Sequence, residues 1–185
     1  MEFDYIVVGA GSSGCVVANR LSANKNVSVA LIEAGSRDSS PWIHIPIGYF
    51  RTIKNPSVNW MYKTEEDPGL NGRSINWPRG KTLGGTSSIN GLLYVRGQQQ
   101  DYDGWAQRGN SGWSWKEVLP YFKKSENWKG PHSTNRGSSG PLTINESEST
   151  WPIVDAWVKA AQNGGFSYNS DYNSGDQEGV GFFQL

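Results

Sequence analysis

Two glycine clusters are the parts of this sequence whose residue types and spacing point most directly to chemistry. The first cluster occupies residues 9–14 and reads GAGSSG, the spacing G-x-G-x-x-G. In that pattern the first glycine permits a tight turn, the second lets the backbone approach a pyrophosphate, and the third lets a helix pack closely on a strand. The helix start then offers free amides and a positive dipole end to phosphate groups. This spacing predicts dinucleotide contacts from Gly9, Gly11, Ser12, Ser13 and Gly14.

An acidic residue follows where a ribose partner is expected. Glu33 lies 19 positions after Gly14, with Ala34 next to it. A carboxylate at the end of the second strand can accept hydrogen bonds from a ribose diol, and it would repel a 2′-phosphate. We therefore predict that Glu33 and Ala34 contact the adenosine half of a dinucleotide. These residues alone do not decide between NAD and FAD.

The second glycine cluster, residues 80–91, reads GKTLGGTSSING and is far more specific than the first. Together with residues 92–97 and Asp103, it resembles the first signature of the glucose-methanol-choline oxidoreductase family, whose members are flavoenzymes. Further matching stretches run through the rest of the chain: residues 71–73, 77–80, 101–105, 112–115 and 119–122. The resemblance spans essentially the whole chain and is nearest to the branch that holds choline dehydrogenases and bacterial alcohol dehydrogenases.

The resemblance implies a set of flavin-side contacts in this sequence. Successive glycines and hydroxyls let backbone amides converge on a diphosphate, and the backbone near Asn90 can reach the edge of a flavin ring. The residues that match the family's cofactor positions are Arg79, Gly84, Gly85, Thr86, Asn90, Gly91 and Leu93. Some members carry a histidine that bonds covalently to the flavin at the position of Ile89. Since isoleucine cannot form that bond, the expected cofactor is FAD held noncovalently.

The resemblance also implies what this chain does not carry. In family members a histidine with a His or Asn partner activates the substrate alcohol, and both come from the C-terminal third of a longer chain. We therefore expect no catalytic residue in this sequence, which would be an inactive N-terminal portion of an alcohol-oxidising enzyme. The expected partners are an alcohol, an electron acceptor and a second polypeptide that supplies the remainder, with peripheral membrane association of the full enzyme.

Composition narrows the alternatives. Seventeen basic and seventeen acidic residues give no net charge, which argues against nucleic acid as a partner. His44 and His132 lie far apart without a cysteine or acidic cluster at ligand spacing, so we expect no metal site. The apolar runs are too short to span a bilayer, and the first strand begins too early for an export signal, which predicts a cytoplasmic protein.

The elements that must position these residues follow from hydrophobic periodicity. A short apolar run over 5–8, a helical spacing over 13–21 and a second apolar run over 27–32 predict a strand, a helix and a parallel strand. Residues 35–80 show no period and predict a long ordered loop. A capping box at Ser114 and Glu117 predicts a helix towards Lys124, and another helix is predicted between Pro152 and Gly164.

The predicted fold class is therefore α/β, a Rossmann-like FAD-binding fold that is incomplete relative to the family. We expect residues 1–185 to form the N-terminal portion of the FAD-binding domain, with the substrate-domain region starting near residue 150. Two other interpretations remain: an NAD-dependent dehydrogenase of the doubly wound kind, and a noncatalytic fragment that binds a nucleotide or a partner chain. The second glycine cluster argues against the NAD enzyme.

Overall fold

The computed structural model describes residues 2–147 and 150–185, which divide into a first compact unit ending at Leu92 and a second beginning at Leu93. The first unit opens with β1 (Tyr5–Val8), α1 (Ser12–Leu21) and β2 (Val29–Ile32). The two strands pair in parallel, with Tyr5 opposite Val29 and Val8 opposite Ile32. The predicted strand, helix and parallel strand are confirmed, although β2 begins two residues later than expected.

The segment from Gly35 to Gly80 contains short elements that the sequence did not predict. These are α2 (Pro41–His44), α3 (Tyr49–Thr52), and the antiparallel pair β3 (Tyr62–Lys63) and β4 (Asn76–Trp77), with 3-10 turns at Pro46–Gly48 and Pro68–Leu70. The prediction of a long ordered loop missed these elements because none of them exceeds four residues, too few for a sustained period to show.

A buried asparagine joins this segment to the second glycine cluster. The Asn59 side-chain amide donates to the Ile53 carbonyl at 2.6 Å, and its oxygen accepts the backbone amides of Met61 and Arg79, both at 3.0 Å. A loop carries many backbone polar groups that need partners when they are buried. Asn59 therefore fixes the backbone that leads into Gly80.

The second unit has three helices and one pair of strands among its described residues. They are α4 (Gln99–Gln107), α5 (Trp115–Ser125), β5 (Glu126–Trp128), β6 (Leu142–Ile144) and α6 (Pro152–Asn163), and the two strands are parallel. The capping box that predicted α5 is confirmed, because the amide and hydroxyl of Ser114 donate to the Glu117 carboxylate at 3.1 and 2.6 Å. The helix α6 ends before Gly164, as predicted.

Much apolar surface of the first unit is exposed. Val8 is 81% exposed and Ile6 is 61% exposed, although both lie in a parallel strand pair. Parallel strands are usually covered on both faces. The buried apolar side chains of this unit are Ala10, Val58 and Ile89, which lie around the glycine clusters rather than on the strands. Across residues 2–147 and 150–185, no helix is long and apolar enough to cross a membrane.

Candidate functional site

The first glycine cluster forms the tight connection from β1 into α1. Gly9 has φ +92°, in the left-handed region that favours glycine, and its amide donates to the Ile32 carbonyl at 2.7 Å. A Cβ on Gly14 would lie 1.9 Å from the Gly9 carbonyl oxygen, so only glycine allows α1 to begin this close to the strand. The turn and packing roles predicted for Gly9 and Gly14 match this geometry.

Gly11 differs from Gly9 and Gly14, because the surrounding protein atoms would leave room for a side chain at this position. Its φ of −77° suits any residue, and a Cβ would find only the Gly85 Cα, at 4.0 Å. The space beside Gly11 is therefore free for a group that the backbone must approach. Gly11 is the N-cap of α1, whose first turn has no acidic side chain. The first amides of a helix have no partner within it and can donate to an anion.

The Glu33 carboxylate lies directly beneath this turn. One oxygen accepts the Ala10 amide at 2.8 Å and the other accepts the Gly35 amide at 2.9 Å. Each carboxylate oxygen can accept more than one hydrogen bond, so Glu33 keeps acceptor capacity for a ribose diol. The side chain is only partly buried, and Ala34 beside it is exposed. Glu33 thus anchors the backbone at Ala10, which precedes it in the chain, and at Gly35, which follows it.

The second glycine cluster contacts the first through the backbone. The Gly84 amide donates to the Ala10 carbonyl at 2.7 Å, and Gly84 and Gly11 form a parallel bridge. Gly85 has φ +58°, and a Cβ there would lie 2.8 Å from the Gly11 Cα. The two glycine-rich segments approach this closely because neither carries a side chain at the contact.

The backbone after Glu33 also pairs with the second cluster. Ser36 and Thr82 form a parallel bridge, and the Ser36 carbonyl accepts the Thr82 hydroxyl and the Leu83 amide, both at 3.0 Å. A Cβ on Gly35 would lie 1.9 Å from the Lys81 carbonyl oxygen. Sequence reasoning did not name Gly35, Ser36 or Thr82 as site residues. The glycine directly after Glu33 and Ala34 was the available signal for this close approach.

The second cluster ends in a 3-10 turn, Gly85–Ser88, which is followed by the buried Ile89 and then by exposed residues 90–93. The Thr86 hydroxyl accepts the Gly80 amide at 3.2 Å, so this side chain holds its own loop. Asn90 accepts the Leu92 amide at 3.0 Å, and Leu92 has the unusual φ of +65° for a non-glycine residue. A Cβ on Gly91 would meet nothing within 4 Å.

Ile89 points into the interior of the first unit and is 2% exposed. An aliphatic side chain there contributes burial and no polar group, which is a packing role. The exposed Arg79 donates to its neighbouring Pro78 carbonyl at 2.8 Å and lies over the Trp77 ring, while Leu93 begins the second unit.

Neither histidine takes part in the glycine contact. The His44 ring nitrogen Nε2 lies 2.6 Å from the Asp38 carbonyl oxygen, and His132 is an exposed residue of the second unit. Within the part of the chain that the structure describes, no group of three or more His, Cys, Asp or Glu side chains could hold a metal ion. Cys15 packs beneath the first glycine turn, where its thiol lies 3.2 Å from the Ala10 carbonyl oxygen.

Comparison with known proteins gives one family. A family model described as GMC oxidoreductase matches residues 3–185. The chain is 45% identical over 184 residues to an alcohol dehydrogenase [acceptor] of Pseudomonas putida, which covers 99% of this chain and 33% of that protein. It is 44% identical over 181 residues to an oxygen-dependent choline dehydrogenase of Photobacterium profundum, with 97% and 32% covered. The chain spans about a third of the length of the curated relatives it matches.

Solved structures agree with this comparison. The chain superimposes on pyridoxine 4-oxidase from Mesorbium loti with a TM-score of 0.93 and 33% identity, covering 100% of this chain and 36% of that one. It superimposes on an FAD-dependent oxidoreductase from Chaetomium thermophilum with a TM-score of 0.86 and 31% identity, covering 99% and 33%. The α/β fold class predicted from the first strand, helix and strand is confirmed.

Proposed function

The chain belongs to the GMC oxidoreductase family, and on that premise we propose that it is the FAD-binding N-terminal portion of an enzyme that oxidises the CH–OH group of an alcohol. The observation that carries the proposal is the backbone contact between the two glycine clusters at Gly11, Gly84 and Gly85. A dinucleotide needs backbone amides that converge on phosphate without side chains in the way. The free space beside Gly11 meets that need.

The residues present suit the parts of FAD. We assign the pyrophosphate to Gly11, Ser12 and Ser13 at the start of α1, where free amides and the helix dipole favour anions. We assign the adenosine ribose to Glu33 and Ala34. The flavin side is assigned to the second cluster and the chain that follows it, namely Arg79, Gly84, Gly85, Thr86, Asn90, Gly91 and Leu93. A Cβ on Gly91 would meet no atom within 4 Å, so the backbone there is open to a ligand, which supports this assignment.

Bound FAD would supply the redox chemistry by accepting a hydride from the alcohol carbon. This chain's residues hold and orient the cofactor, and they stabilise the charge of its phosphates. The proton of the alcohol hydroxyl needs a general base. Because the chain spans about a third of the length of the relatives it matches, we propose that the base comes from polypeptide beyond these residues.

The test is flavin content in a complemented enzyme. The chain would be produced together with the remaining two thirds of the Pseudomonas putida alcohol dehydrogenase [acceptor], and the purified complex would be assayed for FAD and for oxidation of primary alcohols and choline. We expect a yellow complex with one FAD per chain. A colourless complex that instead binds NAD would contradict the proposal.

The matched pair Gly11→Ala and Gly104→Ala locates the cofactor. In both glycines a Cβ meets no protein atom closer than 4.0 Å, and neither has a positive φ, so neither change should unfold the chain. We expect Gly11→Ala to lose most of its FAD because its methyl group occupies the space that the pyrophosphate needs. Gly104→Ala should keep normal flavin content. Equal flavin content in both variants would mean that the pyrophosphate lies elsewhere.

We further propose that FAD is held without a covalent bond. The support is Ile89, an aliphatic residue that cannot bond to the flavin and that stands where the family resemblance places the flavin-linking histidine of some members. Acid precipitation of the complex should therefore leave free FAD in the supernatant. Flavin that stays with the precipitate, and fluoresces after denaturing electrophoresis, would reveal a covalent link to another residue.

The partners and the cellular location are part of the same proposal. The names of the two relatives specify an acceptor in one and oxygen in the other, so both acceptor classes should be assayed with this chain. We propose a cytoplasmic enzyme that associates peripherally with a membrane. Fractionation of the native protein into soluble and salt-washable membrane pools tests that location.

A further inference from the structure

Hydrogen bonds join three segments of the first unit into a closed ring, which includes a side chain that the cofactor assignment does not name. The Glu33 carboxylate accepts the Ala10 amide at 2.8 Å and the Gly35 amide at 2.9 Å. The Ala10 carbonyl accepts the Gly84 amide at 2.7 Å. The ring closes at Ser36, which is bridged to the second glycine cluster. The three segments therefore fix one another through direct contacts of the chain.

Thr82 closes this hydrogen-bond ring with its side chain. Its hydroxyl donates to the Ser36 carbonyl at 3.0 Å, and the same carbonyl accepts the Leu83 amide at 3.0 Å. The Thr82 carbonyl accepts the Gly85 amide at 2.8 Å, so the turn that contains Gly84 and Gly85 begins on this residue. Thr82 is thus bonded both to the Ser36 segment and to the turn that follows it.

The burial of Thr82 makes its hydroxyl dependent on this one partner. The residue is 0% exposed, and a buried hydroxyl costs free energy unless it is hydrogen-bonded. Valine has nearly the same shape as threonine and carries no hydroxyl. Because the Ser36 carbonyl would keep the Leu83 amide, replacing Thr82 by valine leaves no buried donor without a partner.

The hydrogen-bond ring adjoins two proposed parts of the cofactor site. Glu33, the proposed ribose acceptor, belongs to the ring, and Gly11, which is assigned to the pyrophosphate, directly follows a member of it in the chain. Gly84 and Gly11 form a parallel bridge, and a Cβ on Gly85 would lie 2.8 Å from the Gly11 Cα. A shift of the turn at Gly84 and Gly85 would therefore change the space beside Gly11.

We propose that Thr82 is a positioning residue for the cofactor: its hydroxyl fixes the turn at Gly84 and Gly85 against the segment after Glu33, and so sets the space for the pyrophosphate beside Gly11. This inference rests on the proposed function, because the ribose and pyrophosphate are assigned there. A purely structural Thr82 would stabilise the first unit and leave the affinity for FAD unchanged.

The test compares Thr82→Val with Thr52→Val in the complex of this chain with the remaining two thirds of the Pseudomonas putida relative. Thr52 is a matched control because it is also buried, at 1% exposed, and its hydroxyl donates to the Tyr49 carbonyl of its own helix at 3.3 Å. Each valine removes one side-chain hydrogen bond and keeps the branched shape. For Thr82→Val we expect FAD binding weakened roughly three- to tenfold, whereas Thr52→Val should keep the affinity of the unsubstituted complex.

ADP and a serine variant separate positioning from stability. ADP carries the ribose and the pyrophosphate without the flavin, so Thr82→Val should weaken ADP binding by the same factor as FAD binding. Thr82→Ser keeps the hydroxyl and loses a buried methyl group, so it should lower the melting temperature and retain the affinity for FAD. Affinities are measured by titration of the cofactor-free complex, and melting by circular dichroism.

Each other result has a defined meaning. Unchanged FAD affinity in Thr82→Val would overturn the inference, because the hydroxyl would then be only structural. An equal loss of affinity in Thr52→Val or in Thr82→Ser would overturn it too, since the loss would then follow stability. A loss for FAD with unchanged ADP affinity would do the same, because the hydroxyl would not act at the pyrophosphate. If the unsubstituted complex binds no FAD, the proposed function itself fails, and that outcome is seen before any variant is made.

Discussion

Glu33 shows how a single side chain combines a local and a ligand-directed role. Its position after β2 predicts a ribose acceptor, and the structure adds that both of its oxygens accept backbone amides, from Ala10 and Gly35. Ala10 and Gly35 belong to the two segments whose backbones contact the second glycine cluster. The hydrogen bonds to these backbone amides could not be predicted, because they depend on the three-dimensional path of the chain and not on the spacing of residues along it.

Replacing Glu33 tests both roles at once. Glu33→Gln should weaken FAD binding by about 1.5 to 3 kcal/mol, the range for hydrogen bonds to charged groups, because its amide nitrogen faces a backbone donor. It should also lower the melting temperature without FAD, which a residue contacting only ribose would not do. Binding is measured by flavin fluorescence and unfolding by circular dichroism, with the exposed Glu66→Gln as control. Unchanged affinity would remove Glu33 from the ribose site.

At the scale of elements, the length and composition of each helix or strand determine whether it can be predicted from the sequence. The strands β1 and β2 and the helices α1, α5 and α6 were predictable because each has an apolar run, a helical period or a capping signal. The helix α4 was missed because its nine residues contain Gly104 and only two large aromatic side chains. The pair β5 and β6 was missed because three residues cannot establish an alternation.

The glycine at the start of α1 gives the prediction that belongs to this scale. Alanine is favoured over glycine in helices by about 1 kcal/mol, so propensity alone predicts that Gly14→Ala stabilises the fold. The structure predicts the opposite, because the new Cβ would lie 1.9 Å from the Gly9 carbonyl oxygen. We expect Gly14→Ala to lower the free energy of unfolding by about 1 to 3 kcal/mol, the usual cost of overpacking.

A matched control separates packing from propensity. Gly104 lies inside α4, and a Cβ there would meet nothing within 4 Å, so Gly104→Ala should keep or raise the free energy of unfolding. Both variants are measured by denaturant unfolding of the same preparation. If Gly14→Ala proved as stable as Gly104→Ala, the close packing of α1 on β1 would not determine the choice of glycine.

At the scale of the whole molecule, two surfaces lack the cover that their composition requires. In the first unit the parallel pair β1 and β2 exposes Ile6 and Val8. In the second unit α6 exposes Ile153 and Trp157, which lie on the apolar face that predicted the helix. Large exposed apolar patches mark surfaces that contact another protein, a membrane or a ligand, and here we expect other polypeptide to cover them. The chain also spans about a third of the relatives it matches, in line with such cover.

These surfaces, and the proposal that the base comes from other polypeptide, lead to a prediction for residues 1–185 alone. The isolated chain should bind a hydrophobic dye, stay soluble only at low concentration, and show no alcohol oxidation with artificial acceptors even in excess FAD. Loss of general base catalysis alone should lower the rate by about 10² to 10⁴. Adding the remaining two thirds of the Pseudomonas putida relative should reduce dye binding and restore flavin colour and turnover together, because the added polypeptide would cover these surfaces and supply the base. An isolated chain that is monomeric, flavin-loaded and active on a primary alcohol would contradict this, and the base would then have to be sought at His44 or His132.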